Sequence, residues 1–251
     1  MTPHLYILTG ASRGMGLAIA QQLLRPDHTL LCISRRTSDE LAKQADATGA
    51  MLLQWSQDLA QTAEAAERLA QWLAGQAAGS HASATLINNA GLIPRIGPLD
   101  HWSSADIAHA LHVGLEAPMQ LTAAFLRTTH GWTVPRKVLN ISSGLGRRAM
   151  AGQAGYCAAK AGMDHFTRCT ALDEGLRPHG AQVVSLAPGV IDTDMQVQLR
   201  AGDHTGFPDR ANFVSLKEKG QLSSPADAAA RVLAYLARPD FGANPVADVR
   251  A

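Results

Sequence analysis

Short apolar runs alternate with stretches of helical spacing along the whole chain, and this alternation limits the possible folds more than any other feature. The apolar runs are Leu5–Leu8, Thr29–Ser34, Met51–Trp55, Thr85–Asn88, Lys137–Ser142 and Gln182–Ala187, with a weaker seventh at Pro245–Val249. Between them lie helical patterns at Met15–Leu24, Ser38–Thr48, Thr62–Gln76, Ala105–Thr129, Gly155–Leu176 and Ala226–Ala237. Strands that alternate with helices form βαβ units with right-handed crossovers and a parallel sheet. The expectation is a single doubly wound α/β domain over residues 1–251, its parallel sheet of about seven strands covered by helices on both faces. No internal repeat, low-complexity tract or linker divides the chain.

Composition excludes several classes of partner. Lys and Arg total 22 against 21 Asp and Glu, so net charge points to neither nucleic acid nor a membrane surface. Cys32, Cys157 and Cys169 are odd in number and form no Cys-x-x-Cys pair, which suits reduced thiols and a cytoplasmic location. The amino terminus enters a strand without the basic and apolar regions of a signal peptide, and no run of about 18 apolar residues is present to span a bilayer.

The first strand runs into Thr9-Gly10-Ala11-Ser12-Arg13-Gly14-Met15-Gly16. Glycines here let the chain turn sharply and let a phosphate approach a helix N-terminus, where free N–H groups favour negative charge. The spacing is G-x-x-x-G-x-G, not the G-x-G-x-x-G of the standard dinucleotide fingerprint. The second strand ends in Ser34-Arg35-Arg36, where many NAD sites carry an acid for the ribose 2′-hydroxyl. Arg13 and Arg35 could instead hold a 2′-phosphate, which favours NADP(H) over NAD(H); otherwise Arg35 and Arg36 are solvated strand-end residues. Asp58-Leu59 follows the third strand, where the acid either meets an adenine amino group or caps the next helix. Asn88-Asn89-Ala90-Gly91 ends the fourth strand, at the carboxyl edge of the sheet where open α/β folds bind ligands.

After the fifth strand comes a Gly-rich loop, Gly144 to Gly155, and then Tyr156 and Lys160 four apart on one helical face. A nearby ammonium lowers the pKa of a phenol. Such a Tyr can protonate a carbonyl oxygen, or take a proton from an alcohol, near neutral pH. Ser143 at the strand end could hydrogen-bond the same oxygen. A Tyr-x-x-x-Lys alone is more often a packed ring and a solvated amine; the rest of the chain gives it weight. His109 and His112 lack a third ligand spaced to join them, so no metal site is expected. The segment from about 190 to 222 is polar and interrupted by Gly202, Gly206 and Pro208, and reads as an irregular lid. Met195, Phe207 and Phe213 either wall the substrate or pack beneath it.

In order, Thr9-Gly10-x-x-x-Gly14-x-Gly16, Asn88-Asn89-Ala90-Gly91, Ser143, Tyr156-x-x-x-Lys160 and Pro188-Gly189 resemble the short-chain dehydrogenase/reductase superfamily over nearly the whole chain. The resemblance implies a Rossmann-type domain that transfers hydride between NAD(P) and a carbonyl or alcohol. It makes Tyr156 the general acid/base. It gives Lys160 the nicotinamide ribose and the lowering of the Tyr pKa, and Ser143 the orientation of the substrate oxygen. By the same resemblance Gly10, Ser12, Arg13, Gly14, Met15, Gly16, Arg35, Asp58, Leu59, Asn89, Ala90, Gly91, Tyr156, Lys160, Pro188, Gly189, Val190 and Thr193 line the cofactor. Gly114 stands where the family pattern has an Asn whose main chain helps hold a water beside the Lys. That leaves the proton relay weaker or built from groups such as His112. Asp192-Thr193-Asp194-Met195-Gln196 and Leu216-Lys217-x-Lys219-Gly220-x-Leu222 resemble the subgroup of sepiapterin reductases and bacterial benzil reductases, with Asp248 the nearest match to the pterin-anchoring acid. The implied activity is NADP-dependent reduction of a ketone or dicarbonyl by a homodimer or homotetramer built on Ala105–Thr129 and Gly155–Leu176. The alternatives are an NADP(H)-binding regulator and an NAD-dependent alcohol or sugar dehydrogenase.

Overall fold

Successive residues of a strand point to opposite faces, and in the central strands of this chain both sets are apolar. Along His4–Thr9 (β1), Leu5 and Ile7 enter one core layer and Leu8 the other. Along His28–Ser34 (β2), Leu31 and Ile33 oppose Leu30 and Cys32. Strands of this kind must be covered on both sides, as βαβ connections do. The computed structural model describes residues 2–250. It adds β3 (Met51–Ser56), β4 (Ser83–Asn88), β5 (Arg136–Ile141), β6 (Gln182–Ala187) and β7 (Val246–Asp248), all paired in parallel in the order β3-β2-β1-β4-β5-β6-β7.

The helices are α1 (Gly14–Leu23), α2 (Asp39–Thr48), α3 (Thr62–Ala74), α4 (Ser104–Leu111), α5 (Ala117–Thr128), α6 (Ala154–Gly175), α7 (Asp194–Ala201), α8 (Arg210–Glu218) and α9 (Pro225–Leu236). Residues of α1, α2 and α9 build one core layer; α3 and α5 supply the other. Strand order reverses between β1 and β4. The crevice beyond the carboxyl ends of those two strands is therefore the topological switch point. Among the described residues no helix is long and apolar enough to cross a membrane.

Two expectations need correction. The helix expected over Ala105–Thr129 is broken: α4 passes into a wider π turn at His112–Glu116 before α5 begins. Pro118 has no N–H to return to Gly114, so the normal i→i−4 ladder fails there, and the Ala117 N–H bonds to His112 O instead. The segment expected to be irregular carries α7 and α8. Neither helix has a side-chain N-cap, and short helices gain most of their stability from tertiary packing. Here that packing is a third cluster, in which Leu199, Phe207 and Phe213 bury themselves against Met150.

Candidate active site

The β1–α1 turn and the loop after β4 close on each other at the switch point. Thr9 Oγ1 accepts from the N–H groups of Asn89 and Ala90, both at 3.0 Å. Asn89 Nδ2 donates to the carbonyls of Thr9 (3.0 Å) and Gly10 (3.2 Å). Gly10 and Gly14 have positive φ angles of 72° and 56°, open to glycine at little strain. At the start of α1, Arg13 makes no side-chain cap and no acid occupies the first turn. The first N–H groups are thus left to a ligand. This cradle could hold the pyrophosphate of a dinucleotide, between the turn Gly10–Gly16 on one side and Ala90 and Gly91 on the other. Asn89 sits there too, but its side chain staples the two loops together.

At the end of β2, Arg35 and Arg36 are exposed, and among the described residues neither forms an ion pair. Arg35 borders an open groove of about 400 Å³ shared with Ser56, Asp58, Gln61 and Arg68. Asp58 Oδ1 accepts only the Ala60 N–H, at 3.0 Å, and does not cap α3; Leu59 behind it is buried. Arg13 turns elsewhere. Its Nη1 lies 2.7 Å from Asp194 Oδ2 at the start of α7, and Thr193 reaches to 3.4 Å from where a Cβ on Gly14 would stand. The first turn of α7 is thereby strapped across the Gly-rich turn. Pro188, Gly189 and Val190 form the bend between β6 and this strap.

Ser143 leaves β5 in extended conformation and accepts the Leu145 N–H at 3.2 Å. Tyr156 and Lys160 follow on the first two turns of α6, with Lys160 Nζ 5.8 Å from the Tyr156 ring centroid. Burial raises the Tyr156 pKa, and the neighbouring Ser143 hydroxyl pulls it partly back. In this arrangement Tyr156 therefore stands above, not below, its ordinary value, with Lys160 Nζ donating to Ile141 O at 2.7 Å. Lys160 is itself pushed down to about 8 by burial, while the Asp164 carboxylate draws it upward. A phenol, an ammonium and a hydroxyl thus stand together beside the dinucleotide cradle: Nζ is 4.0 Å from the Cβ position of Gly91.

Of the expected substrate residues, Met195 reaches this place, with Cε 3.7 Å from the same Gly91 position. Phe207 and Phe213 do not wall a pocket. They stack 5.7 Å apart inside the third cluster. Asp248 ends β7 and is held by Arg250 through bonds of 2.8 and 2.7 Å. His112 pairs with Glu116 at 3.5 Å. Among the described residues no group of three His, Cys, Asp or Glu side chains could hold a metal ion. Buried polar groups support the site from behind, Asn88 of the motif already noted together with Asn140 and Thr167, to which sequence reasoning assigned no role. Asn88 Nδ2 donates to Asn140 Oδ1 at 2.8 Å, and Asn140 Nδ2 donates to Thr167 Oγ1 at 2.9 Å.

Gly114 permits a close helix crossing. A Cβ there would stand 2.9 Å from Ala159 Cβ, one residue before Lys160. Gly114→Asn is therefore expected to press on α6, to lower stability by about 1–3 kcal/mol and to reduce turnover. A thermal melt and a kcat measurement check both. A variant at least as active as the parent would show that α6 yields without disturbing Lys160.

The parallel sheet, the phosphate cradle at its switch point and the Ser143–Tyr156–Lys160 cluster define a Rossmann-fold oxidoreductase that uses a nicotinamide dinucleotide on carbonyl or alcohol substrates. The short chain dehydrogenase family model matches residues 4–204, and the chain belongs to that family. It is 36% identical to a benzil reductase ((S)-benzoin forming) of Bacillus cereus over 94% of each chain. It is 30% identical to a sepiapterin reductase of Xenopus laevis, covering 87% of this chain and 84% of the relative. A crystal structure of a short-chain dehydrogenase/reductase from Burkholderia vietnamiensis is similar at a TM-score of 0.62, 33% identical over 98% of each chain.

Proposed function

We propose that this protein is an NADP-dependent carbonyl reductase whose substrate is a ketone or dicarbonyl of the benzil or sepiapterin type. The observation that carries the reading is the Tyr156–Lys160–Ser143 cluster beside a cradle whose β2 end presents, instead of an acid, Arg35, which forms no ion pair among the described residues. A bound nicotinamide supplies the hydride. Tyr156 gives its phenolic proton to the carbonyl oxygen, and Ser143 donates a hydrogen bond to the same oxygen. Lys160 binds the nicotinamide ribose and stabilises the phenolate left behind. Arg35 binds the 2′-phosphate, Asp58 the adenine edge, and Val190 and Thr193 the carboxamide. Met195 borders the substrate. Exposed Met119 on α5, Leu172 on α6 and Leu176 just past its end support self-association through these helices, as a homodimer or homotetramer.

The benzil reductase relatives support an aromatic dicarbonyl first. The test is oxidation of NADPH and of NADH, in parallel, against benzil, an aliphatic diketone, sepiapterin and an aromatic aldehyde. Turnover with NADPH on at least one of them is expected. Arg35→Leu is expected to weaken NADPH by about tenfold, the loss of one charge-assisted contact, and to leave NADH unchanged. Equal use of both cofactors by the parent would overturn the NADP assignment.

A further inference from the structure

Asp164 lies on α6 one turn beyond Lys160 and two beyond Tyr156, and it is 1% exposed. Its Oδ1 accepts from Ser142 Oγ at 2.5 Å and from Ser185 Oγ at 2.6 Å. Its Oδ2 accepts from Arg147 Nε at 3.1 Å. Ser142 immediately precedes Ser143, Ser185 lies in β6, and Arg147 follows the 3-10 turn Gly144–Gly146. Arg147 continues to β7, donating from Nη2 to Ala247 O at 2.8 Å. A Cβ on Gly146 would come within 2.9 Å of both Asp164 Oδ2 and Lys160 O, so the turn after Ser143 is seated against this carboxylate. One buried acid therefore ties α6 to the end of β5, to β6 and to the turn after Ser143, and through Arg147 to β7.

An Asn could accept from both serines at its Oδ1, but its Nδ2 donates and could not accept from Arg147, so the carboxylate is needed for the full set of bridges. A buried charge is costly unless compensated. Arg147 compensates it from a partly exposed position, its side chain 34% accessible. The other buried charge nearby is Lys160. Its neighbours are Tyr156 on the same helix, Ile141 O from β5, Met163 Sδ, and the loop at Gly91. On the elements packed around it, His112 lies beside Glu116 on the π turn, Asp194 pairs with Arg13 on α7 and Arg147 with Asp164, while His109 on α4 and Arg148 after the 3-10 turn form no ion pair among the described residues.

We infer that Asp164 is a positioning residue of this site: its carboxylate fixes the Ser142–Ser143 strand end and keeps the Lys160 ammonium beside Tyr156. The inference rests on the roles proposed above for Tyr156 and Lys160. Burial pushes Lys160 down to about 8, and Asp164 is the group that opposes this. Without that negative charge the ammonium loses its proton at lower pH, and less of it remains charged between pH 7 and 8.

The experiment follows Lys160 directly, by ¹H–¹³C spectra of the full chain labelled at lysine Cε and titrated from about pH 6 to 11, a range set to span the ordinary lysine value. The other lysines, at 43, 137, 217 and 219, are separated by a Lys160→Met control. Lys160 is expected to titrate near 8, and about one unit or more lower in Asp164→Asn. Ser185→Ala removes a hydroxyl but no charge and should leave it in place. In the enzyme the upper limb of the kcat–pH profile should move down with the lysine in Asp164→Asn. Its loss of turnover is then larger at alkaline than at neutral pH, whereas a merely structural lesion loses the same factor throughout. If Asp164→Asn does not fold, Arg147→Leu decides: freeing the carboxylate from its other partner should move the Lys160 midpoint upward. An unmoved midpoint in Asp164→Asn, or in Arg147→Leu where only that variant folds, overturns the inference. The titration needs no turnover, so an active Tyr156→Phe would sink the proposed mechanism and leave this result standing.

Discussion

Tyr156→Phe is expected to lower kcat about 10³-fold, the middle of the range for loss of a positioned general acid, while NADPH binds as tightly as before. The phenol is the one group of the cluster able to deliver a proton to a carbonyl oxygen. Ser143 is a hydroxyl with no base to replenish it, and Lys160 is turned to Ile141 O. Removing one oxygen leaves the ring in its packing place beside Lys160, so the binding surface survives. Burial holds the phenol pKa above its ordinary value, so at neutral pH the phenol carries the proton that reduction requires it to give. Stopped-flow NADPH oxidation measures the loss, and fluorescence titration with NADPH checks the affinity. A variant that kept turnover within a few-fold of the parent would remove Tyr156 from the proton transfer.

The sheet was legible because its strands are apolar on both faces, so their limits show as plain runs; Gln182–Ala187 was read to the residue. The Tyr156–Lys160 pair was legible because helical spacing alone places both on one face. What escaped depends on partners distant in sequence. Asp164 reads as one acid of a mixed helix, since Ser142, Ser185 and Arg147 stand 22, 21 and 17 residues away. Arg13 reads as a phosphate ligand until Asp194, 181 residues on, takes its guanidinium. The break at His112–Glu116 escaped because apolar spacing continues across it, although Pro118 was visible at the point where the ladder fails. The helices α7 and α8 escaped because Gly202, Gly206 and Pro208 signal irregular chain, while the cluster that stabilises them forms only on folding. Of the two readings open for Phe207 and Phe213, a substrate wall or packing beneath the segment, the fold takes the second.

Gly16→Ala is expected to abolish measurable NADPH binding and to lower Tm by about 6–12 °C. Gly16 is the third residue of α1 and is buried. A Cβ there would stand 2.0 Å from Gly10 O and 2.4 Å from Asn89 Nδ2. The first is main chain and cannot rotate away. The second is the amide that staples the β4 loop to the carbonyls of Thr9 and Gly10. The methyl therefore forces the β1–α1 turn off the helix and parts the two loops that together form the cradle. Overpacking costs about 1–3 kcal/mol, and each lost hydrogen bond about 1 kcal/mol more. At about 2–4 °C per kcal/mol for a chain of this size, roughly 3 kcal/mol gives the stated shift. Gly175→Ala supplies the control. It is also a helix glycine, but exposed, with nothing within 4 Å of the added Cβ, and there the change should stabilise by about 0.5–1 kcal/mol. The same substitution at the two positions thus carries opposite signs. Calorimetric melts of both variants, with NADPH titrations, separate the close approach from helix propensity. If Gly16→Ala melts with the parent and still binds NADPH, the turn is held less tightly than its contacts require, and the cradle is not what positions the cofactor.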